Sequence, residues 1–200
     1  MNRSISLVIL AAPEELEALA PLVREGVEIL VPAGRSLRAT MEEDLGLGRE
    51  CVDARVRAVF LDGSPVDDID GDCARPGCTL ALAGALPGVA GICMERESRI
   101  GVYREGITHA APTPASAKRE QLRMTLKLFN TIAAECLAQV LAKGVELRAA
   151  RLAELLDERP WALAGAKLSL EGAEVTREAL ADALRGRDAT LRLVAEPQAC

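Results

Sequence analysis

The densest group of like charges in this chain is a set of aspartates that could hold a metal ion. They are Asp62, Asp67, Asp68, Asp70 and Asp72. Hard cations prefer several oxygen ligands on a tight loop, and the last four aspartates offer such ligands. An EF-hand would need glycine and glutamate where this chain has Cys73 and Thr79. There are therefore two hypotheses. Asp67, Asp68, Asp70 and Asp72 form a divalent-cation site, or they belong to a solvated turn in which aspartate side chains accept hydrogen bonds from their own backbone.

A second group combines glycines and arginines within about twenty residues. Its members are Gly84, Gly88, Gly91, Arg96, Arg99 and Arg104. Glycines let a backbone approach a ligand or wrap an anion, and guanidinium groups pair with phosphate or carboxylate. The spacing is neither G-x-G-x-x-G nor a Walker loop, which needs a Lys-Ser/Thr pair. These residues are a candidate ligand site, and the alternative is a chain-reversing loop packed against the core.

His109 is the single histidine of the chain. Histidine is the side-chain type whose ordinary pKa lies nearest neutrality, which suits it to general acid–base catalysis. With Asp67 and Asp68 it would be the best residue for an enzyme, but no G-x-S-x-G elbow accompanies it. We expect a surface histidine and assign no catalytic residue.

The six cysteines include no C-x-x-C pair, and Cys73 and Cys78 are separated by more residues than in a usual zinc knuckle. We expect structural thiols, including a buried Cys93 and Cys136. A metal site and a redox pair of Cys73 with Cys78 remain alternatives. No cofactor is predicted.

The composition narrows the classes of partner. The net charge is −6 and aromatic residues make up 2%, whereas nucleic-acid surfaces need surplus Lys and Arg and often exposed rings. No apolar run approaches the roughly 20 residues that cross a bilayer. Neither nucleic acid nor membrane is therefore an expected partner. We expect Ile5–Leu10 to be a strand rather than part of a signal peptide, which predicts a cytoplasmic protein with reduced cysteines.

Hydrophobic periodicity predicts an α/β (α+β) protein. Strands are expected at 5–10, 27–31, 52–61, 65–69, 79–82 and 100–103, and helices at 14–25, 37–46 and 149–158. Asp62-Gly63 predicts a hairpin, and Ser36 and Thr176 are expected helix caps. The last forty residues predict a small strand–helix–strand unit.

A long helix is expected from Ser116 to about Lys143, because apolar residues recur at spacings of three and four. Its apolar face would comprise Leu122, Leu126, Phe129, Ala133, Cys136, Leu137, Val140 and Leu141. That face could pack on the sheets of its own chain or also form a homodimer.

Residues 27–91 resemble the ubiquitin-like β-grasp superfamily. In that superfamily a strand enters a helix through a Pro/Gly turn, as VPAGRSLRATMEEDLGL would here. A later strand ends in a hairpin followed by a valine, as in VFLDGSPVDD. The closing strand and the glycine-rich exit correspond to GCTLALAG and LPGVAG. The resemblance is to the branch of small sulfur carriers, such as the small subunit of molybdopterin synthase and the thiamine-pathway carrier. It implies a β-grasp fold with a docking face.

One departure from that family bears on activity. The carriers end in a free Gly-Gly, whereas here the single Gly91 is followed by 109 residues, of which Ile92 is the first. The resemblance therefore implies the fold without sulfur-carrier activity. We expect a β-grasp-like domain with an inserted helix over 1–108, a linker over 109–117, and a helical segment with a small αβ unit over 118–200. The expected function is a non-catalytic protein-interaction or accessory module with an unidentified protein partner. The alternative is a small-molecule or anion-binding protein.

Overall fold

The computed structural model describes residues 4–109 and 121–197 of the chain. Its strands are β1 (Ser4–Ala11), β2 (Val27–Pro32), β3 (Ala58–Leu61), β4 (Ser64–Pro65), β5 (Thr79–Ala83), β6 (Gln121–Phe129), β7 (Val145–Arg148), β8 (Lys167–Leu170), β9 (Ala173–Val175) and β10 (Thr190–Pro197). Its α-helices are α1 (Pro13–Leu16), α2 (Ala20–Glu25), α3 (Leu37–Ala39), α4 (Arg49–Ala54), α5 (Gly88–Met94), α6 (Asn130–Glu135), α7 (Leu137–Lys143), α8 (Ala149–Glu158) and α9 (Arg177–Leu184). Glu17–Leu19 and Gly101–Ile107 are 3-10 segments, and Thr40–Asp44 is a π-helical segment. In these described ranges, no helix has the length and apolar character that crossing a membrane requires.

The chain packs into two compact units, residues 1–27 with 137–200 and residues 28–136. This division differs from the expected one, which separates the first strand of the chain from the last. In the structure β1 and β10 pair in parallel, with Ile5 opposite Leu191. The linker expected at 109–117 lies outside the described residues apart from His109, and it stays a prediction.

The first unit, which contains β1 and β10, has a mixed sheet in the order β7-β10-β1-β8-β9. Side chains of β1 alternate, with Ile5, Leu7 and Ile9 buried and the residues between them exposed, as a strand with one covered face requires. The expected strand at 5–10 and helix at 149–158 are confirmed. The expected strand–helix–strand order of the last forty residues is also confirmed. Thr176 caps its helix as expected, because its hydroxyl accepts a hydrogen bond from the Ala179 N–H at 3.2 Å.

The sheet of the unit formed by residues 28–136 has the order β4-β3-β5-β6-β2. β3 is antiparallel to β4 and β5, and β5 is parallel to β6. The expected hairpin is confirmed, because Asp62 and Gly63 have φ values of 51° and 83° and join the paired strands. Ser36 caps α3 as expected, accepting from the Ala39 N–H at 3.2 Å.

Three expected strands of this unit need correction. The strand expected at 52–61 begins only at Ala58, because Arg49–Ala54 is helical. The second hairpin strand ends at Pro65 rather than Ile69. The strand expected at 100–103 is instead the 3-10 segment Gly101–Ile107.

The long helix expected at 116–143 is wrong over residues 121–129, whereas helical structure is confirmed over most of residues 130–143. Gln121–Phe129 is strand β6, and the two short helices α6 and α7 follow it. Leu122, Met124, Leu126 and Leu128 are all buried, so the true period is two, whereas the helical pattern leaves out Met124 and Leu128. The expected continuous apolar helix face therefore does not exist. The homodimer hypothesis, which depended on that face, loses its support.

Candidate functional site

Residues 84–109 leave the sheet after β5 and return beside β4, where the His109 N–H donates to the Pro65 carbonyl at 2.8 Å. Buried Glu95 fastens the beginning of this segment. Its carboxylate accepts from the Leu86 N–H at 3.0 Å and from the Arg57 guanidinium at 3.1 and 3.2 Å. One side chain thus joins the exit from β5 to the entry into β3.

Arg96 fastens the same segment to α4. Its guanidinium donates to the Val52 carbonyl at 2.7 Å and to the Val56 carbonyl at 2.8 and 3.2 Å. Its backbone N–H donates to the Arg57 carbonyl at 2.7 Å. Burial lowers the pKa of the guanidinium. This residue, a predicted ligand contact, is engaged by the backbone of its own chain.

Arg104 is a third anchor, and only 3% of it is exposed. Its guanidinium donates to the carbonyls of Cys93 at 2.6 Å and Glu95 at 3.1 Å. It also donates to the Asp67 carboxylate at 2.6 Å and the Thr108 hydroxyl at 3.0 Å. Because these bonds join α5, the loop that contains Asp67 and the end of the 3-10 segment, Arg104 fixes the conformation of residues 84–109. Arg99, the remaining predicted arginine, is exposed.

The predicted glycines are explained by internal packing. A β-carbon at Gly91 would lie 2.8 Å from the backbone of Leu86, and one at Gly84 would meet the Thr131 side chain. Gly88 has a φ of 77°, a conformation that favours glycine at the start of α5. These positions let the chain reverse tightly, which agrees with the packed-loop alternative.

The anchored segment exposes large apolar side chains. In the part of the chain that the structure describes, ten large apolar residues are exposed, and five of them lie here: Val89, Ile92, Val102, Tyr103 and Ile107. Val89 is 75% exposed and Tyr103 is 84% exposed. We call these five residues the 88–107 surface. The sequence analysis did not predict this surface. A usable signal was present, because the apolar residues near Pro87 and several glycines follow neither strand nor helix periodicity.

A polar groove of about 560 Å³ borders this surface at Val102. Its other lining residues are Asp67, Glu97, Ser98, Gly101, Arg104, Thr108 and His109. His109 is not the surface residue that the sequence predicted, since only 10% of its side chain is exposed and its Nδ1 lies 3.4 Å from Oδ1 of the buried Asp72. A pair between residues so far apart in sequence depends on the path of the whole segment, and no local pattern predicts it.

The four aspartates of the predicted cation site are directed to different neighbours. Asp67 pairs with Arg104, Asp70 with Arg38 at 2.7 Å, and Asp72 faces His109. Asp68 accepts from the N–H groups of residues 70 and 71 at 3.2 and 2.8 Å, as in the solvated-turn alternative. Within residues 4–109 and 121–197, no group of three or more His, Cys, Asp or Glu residues could hold a metal ion.

The cysteines in the described part of the chain form no disulfide, and the two thiols found in contact are not the pair that the sequence suggests. Cys73 lies near the carbonyls of Gly34 and Gly71, while the Cys78 sulfur accepts from the Arg75 N–H at 3.4 Å. The Sγ atoms of Cys51 and Cys136 lie 3.3 Å apart. Cys136 is buried, as expected, and Cys93 is partly exposed.

A second, mostly apolar groove of about 690 Å³ lies on the sheet of residues 28–136. Phe60, Ala81, Ala83 and Phe129 form its floor on β3, β5 and β6, and Leu86 borders it. Both phenylalanines of the chain therefore lie in this groove.

Comparison with known proteins gives no relative: no family model, no curated protein and no solved structure matches the chain.

Proposed function

We propose that this protein is a cytoplasmic, non-catalytic interaction module that binds a protein partner through the 88–107 surface. The observation that carries the proposal is the exposure of five large apolar side chains on a segment held in place by buried charged groups. Large apolar side chains that are exposed together on one segment are typical of protein-binding sites. Tyrosine in particular contributes large contact area at interfaces.

The anchors explain why this surface could bind with useful affinity. Glu95, Arg96 and Arg104 fix the segment at three points through hydrogen bonds to backbone and carboxylate groups. A segment that is ordered before binding loses less conformational entropy when its partner arrives. The apolar residues are therefore presented on a prepared scaffold.

The proposal includes a ubiquitin-like β-grasp relationship for residues 27–91, a superfamily whose sheets commonly serve as docking faces. The apolar groove at Phe60 and Phe129 supports a docking role for this sheet. Sulfur-carrier activity is not part of the proposal, because Gly91 lies inside α5 and is followed by Ile92.

The alternative, a small-molecule or anion-binding protein, receives less support from the geometry. Arg96 and Arg104 donate to groups of their own chain, and Gly84 and Gly91 are packed against neighbouring residues. Of the predicted ligand residues, exposed Arg99 is the one best placed to meet an anion.

The test compares affinity purifications of tagged protein from the native host by quantitative mass spectrometry. The test variant is Val89→Ser with Tyr103→Ser, which removes exposed apolar groups without touching the anchors. The matched control is Trp161→Ser, because Trp161 is also exposed but lies in the other unit. We expect a protein that is captured equally by wild type and control, is reduced about tenfold or more by the test variant, and binds purified wild type directly.

If no captured protein depends on residues 89 and 103, the proposal is contradicted. If the captured protein is a second copy of this chain, sedimentation of the purified protein should give a dimer mass that the test variant reduces to a monomer. That result would identify the partner as the chain itself.

A further inference from the structure

Two cysteines far apart in sequence meet inside the unit formed by residues 28–136. Cys51 lies in α4, and Cys136 directly follows α6, 85 positions later. Their Sγ atoms are 3.3 Å apart. Since a disulfide bond is about 2.05 Å long, a movement of about 1.3 Å would bring the sulfurs to bonding distance.

A neighbouring ion pair holds the same two chain segments together. The Arg55 guanidinium, at the end of α4, lies 2.8 Å from the Glu135 carboxylate, at the end of α6. The thiols and the ion pair thus lie between the same two chain segments. A disulfide would form between elements that are already in place.

The two thiols differ in access to solvent. Cys51 is partly exposed, whereas Cys136 is buried, and burial raises the pKa of its thiol. Exchange with a reagent in solution therefore begins at Cys51, because only an accessible thiolate attacks efficiently. Cys136 can then act as the resolving thiol.

We propose that Cys51 and Cys136 form a reversible disulfide by exchange with a low-molecular-weight disulfide such as oxidised glutathione. The Cys51 thiolate attacks one sulfur of the reagent, forming a mixed disulfide and releasing the first thiolate, which takes up a proton. The Cys136 thiol then loses its proton and attacks the Cys51 sulfur, releasing the second thiolate. The two cysteines are oxidised by two electrons, and the reagent is reduced to two thiols.

This bond would join the two supports of the segment at residues 84–109. α4 carries the Val52 carbonyl that receives Arg96, while α6 carries Asn130, whose side-chain amide donates to the Ala85 carbonyl at 3.5 Å, and Thr131, which faces Gly84. The inference goes beyond the proposed function and does not depend on it, because disulfide formation needs no partner protein.

The experiment uses the full chain, fully reduced and then treated with oxidised glutathione. Free thiols are blocked with N-ethylmaleimide, and tryptic peptides are analysed by mass spectrometry. We expect the peptides of residues 50–55 and 128–143 to be linked, with two hydrogens fewer than their sum and full reversal by dithiothreitol. Because the bond closes a long loop, the oxidised wild type should melt several degrees higher than the reduced protein.

Cys93→Ser is the matched control and should retain the link and the rise in melting temperature. Cys51→Ala should lose both, and circular dichroism checks that it folds. The wild-type peptide analysis needs no variant, so the inference stays testable even if a variant unfolds. It is overturned if the linked pair is absent after oxidation, or if glutathione stays bound to Cys51 while the Cys136 thiol has not reacted.

Discussion

Arg104 makes four hydrogen bonds from a guanidinium that is almost completely buried. Its replacement in Arg104→Ala leaves the Cys93 and Glu95 carbonyls without this donor and leaves Asp67 without this partner. We expect the free energy of unfolding to fall by about 2–4 kcal/mol, since buried polar groups that lose their partners are costly. Chemical denaturation measures the loss.

The matched control is Arg99→Ala, which removes the same side chain from an exposed position and should change stability by less than about 0.5 kcal/mol. Equal effects of the two substitutions would contradict the anchoring role of Arg104. The outcome also bears on the ligand-site hypothesis, because the sequence analysis placed both arginines in the same candidate site.

Gly91 tests whether the glycines of this loop serve internal packing. In Gly91→Ala the new β-carbon would lie 2.8 Å from Leu86 backbone atoms, which cannot rotate away. We expect a loss of about 1–3 kcal/mol in stability by denaturant titration. Gly106→Ala is the control, because its β-carbon would meet no atom within 4 Å. A neutral Gly91→Ala would refute the packing explanation.

At the scale of single residues, the sequence identified several positions correctly. Ser36 and Thr176 cap their helices and Asp62-Gly63 turns its hairpin, because these roles depend on neighbours within three residues. The partners of His109 and Cys51 lie 37 and 85 positions away. Such pairs depend on tertiary packing, which local patterns do not encode.

Strand β6 is the element for which local pattern and structure disagree most. Leu122 and Leu126 fit both a helical and an alternating pattern, and the decision depends on Met124 and Leu128, which are buried in the strand. In the helix expected from the sequence, these two residues would lie opposite the apolar face. The alternation was therefore present in the sequence, and the longer helical pattern that follows it obscured the change of period.

Met124→Ala distinguishes the two assignments. In the strand Met124 belongs to the core, so its truncation should cost about 2–4 kcal/mol of unfolding free energy. Gln121→Ala, at an exposed position of the same strand, should cost less than about 0.5 kcal/mol. Similar small losses in both variants would favour the helix.

At the scale of the whole molecule, the α/β class was predictable because most strands and helices carry clear local patterns. The arrangement into units was not predictable, because β1 pairs with β10, a strand that lies more than 180 positions later in the sequence. Which strands pair over long distances depends on which apolar faces cover one another. Because many strands of this chain have a similar composition, their sequences do not distinguish one partner strand from another. The proposed docking surface was hidden for a related reason, since the exposure of Tyr103 becomes visible only when the fold is known.

The central claim is that the 88–107 surface contacts a protein partner, and site-specific photo-crosslinking tests it most directly. The photoreactive residue p-benzoylphenylalanine replaces Tyr103 in one variant and Trp161 in the other, both at exposed aromatic positions. After irradiation in the native host, we predict a discrete higher-mass adduct from position 103 and none from position 161. No adduct at position 103, or the same adduct from both positions, would contradict the claim.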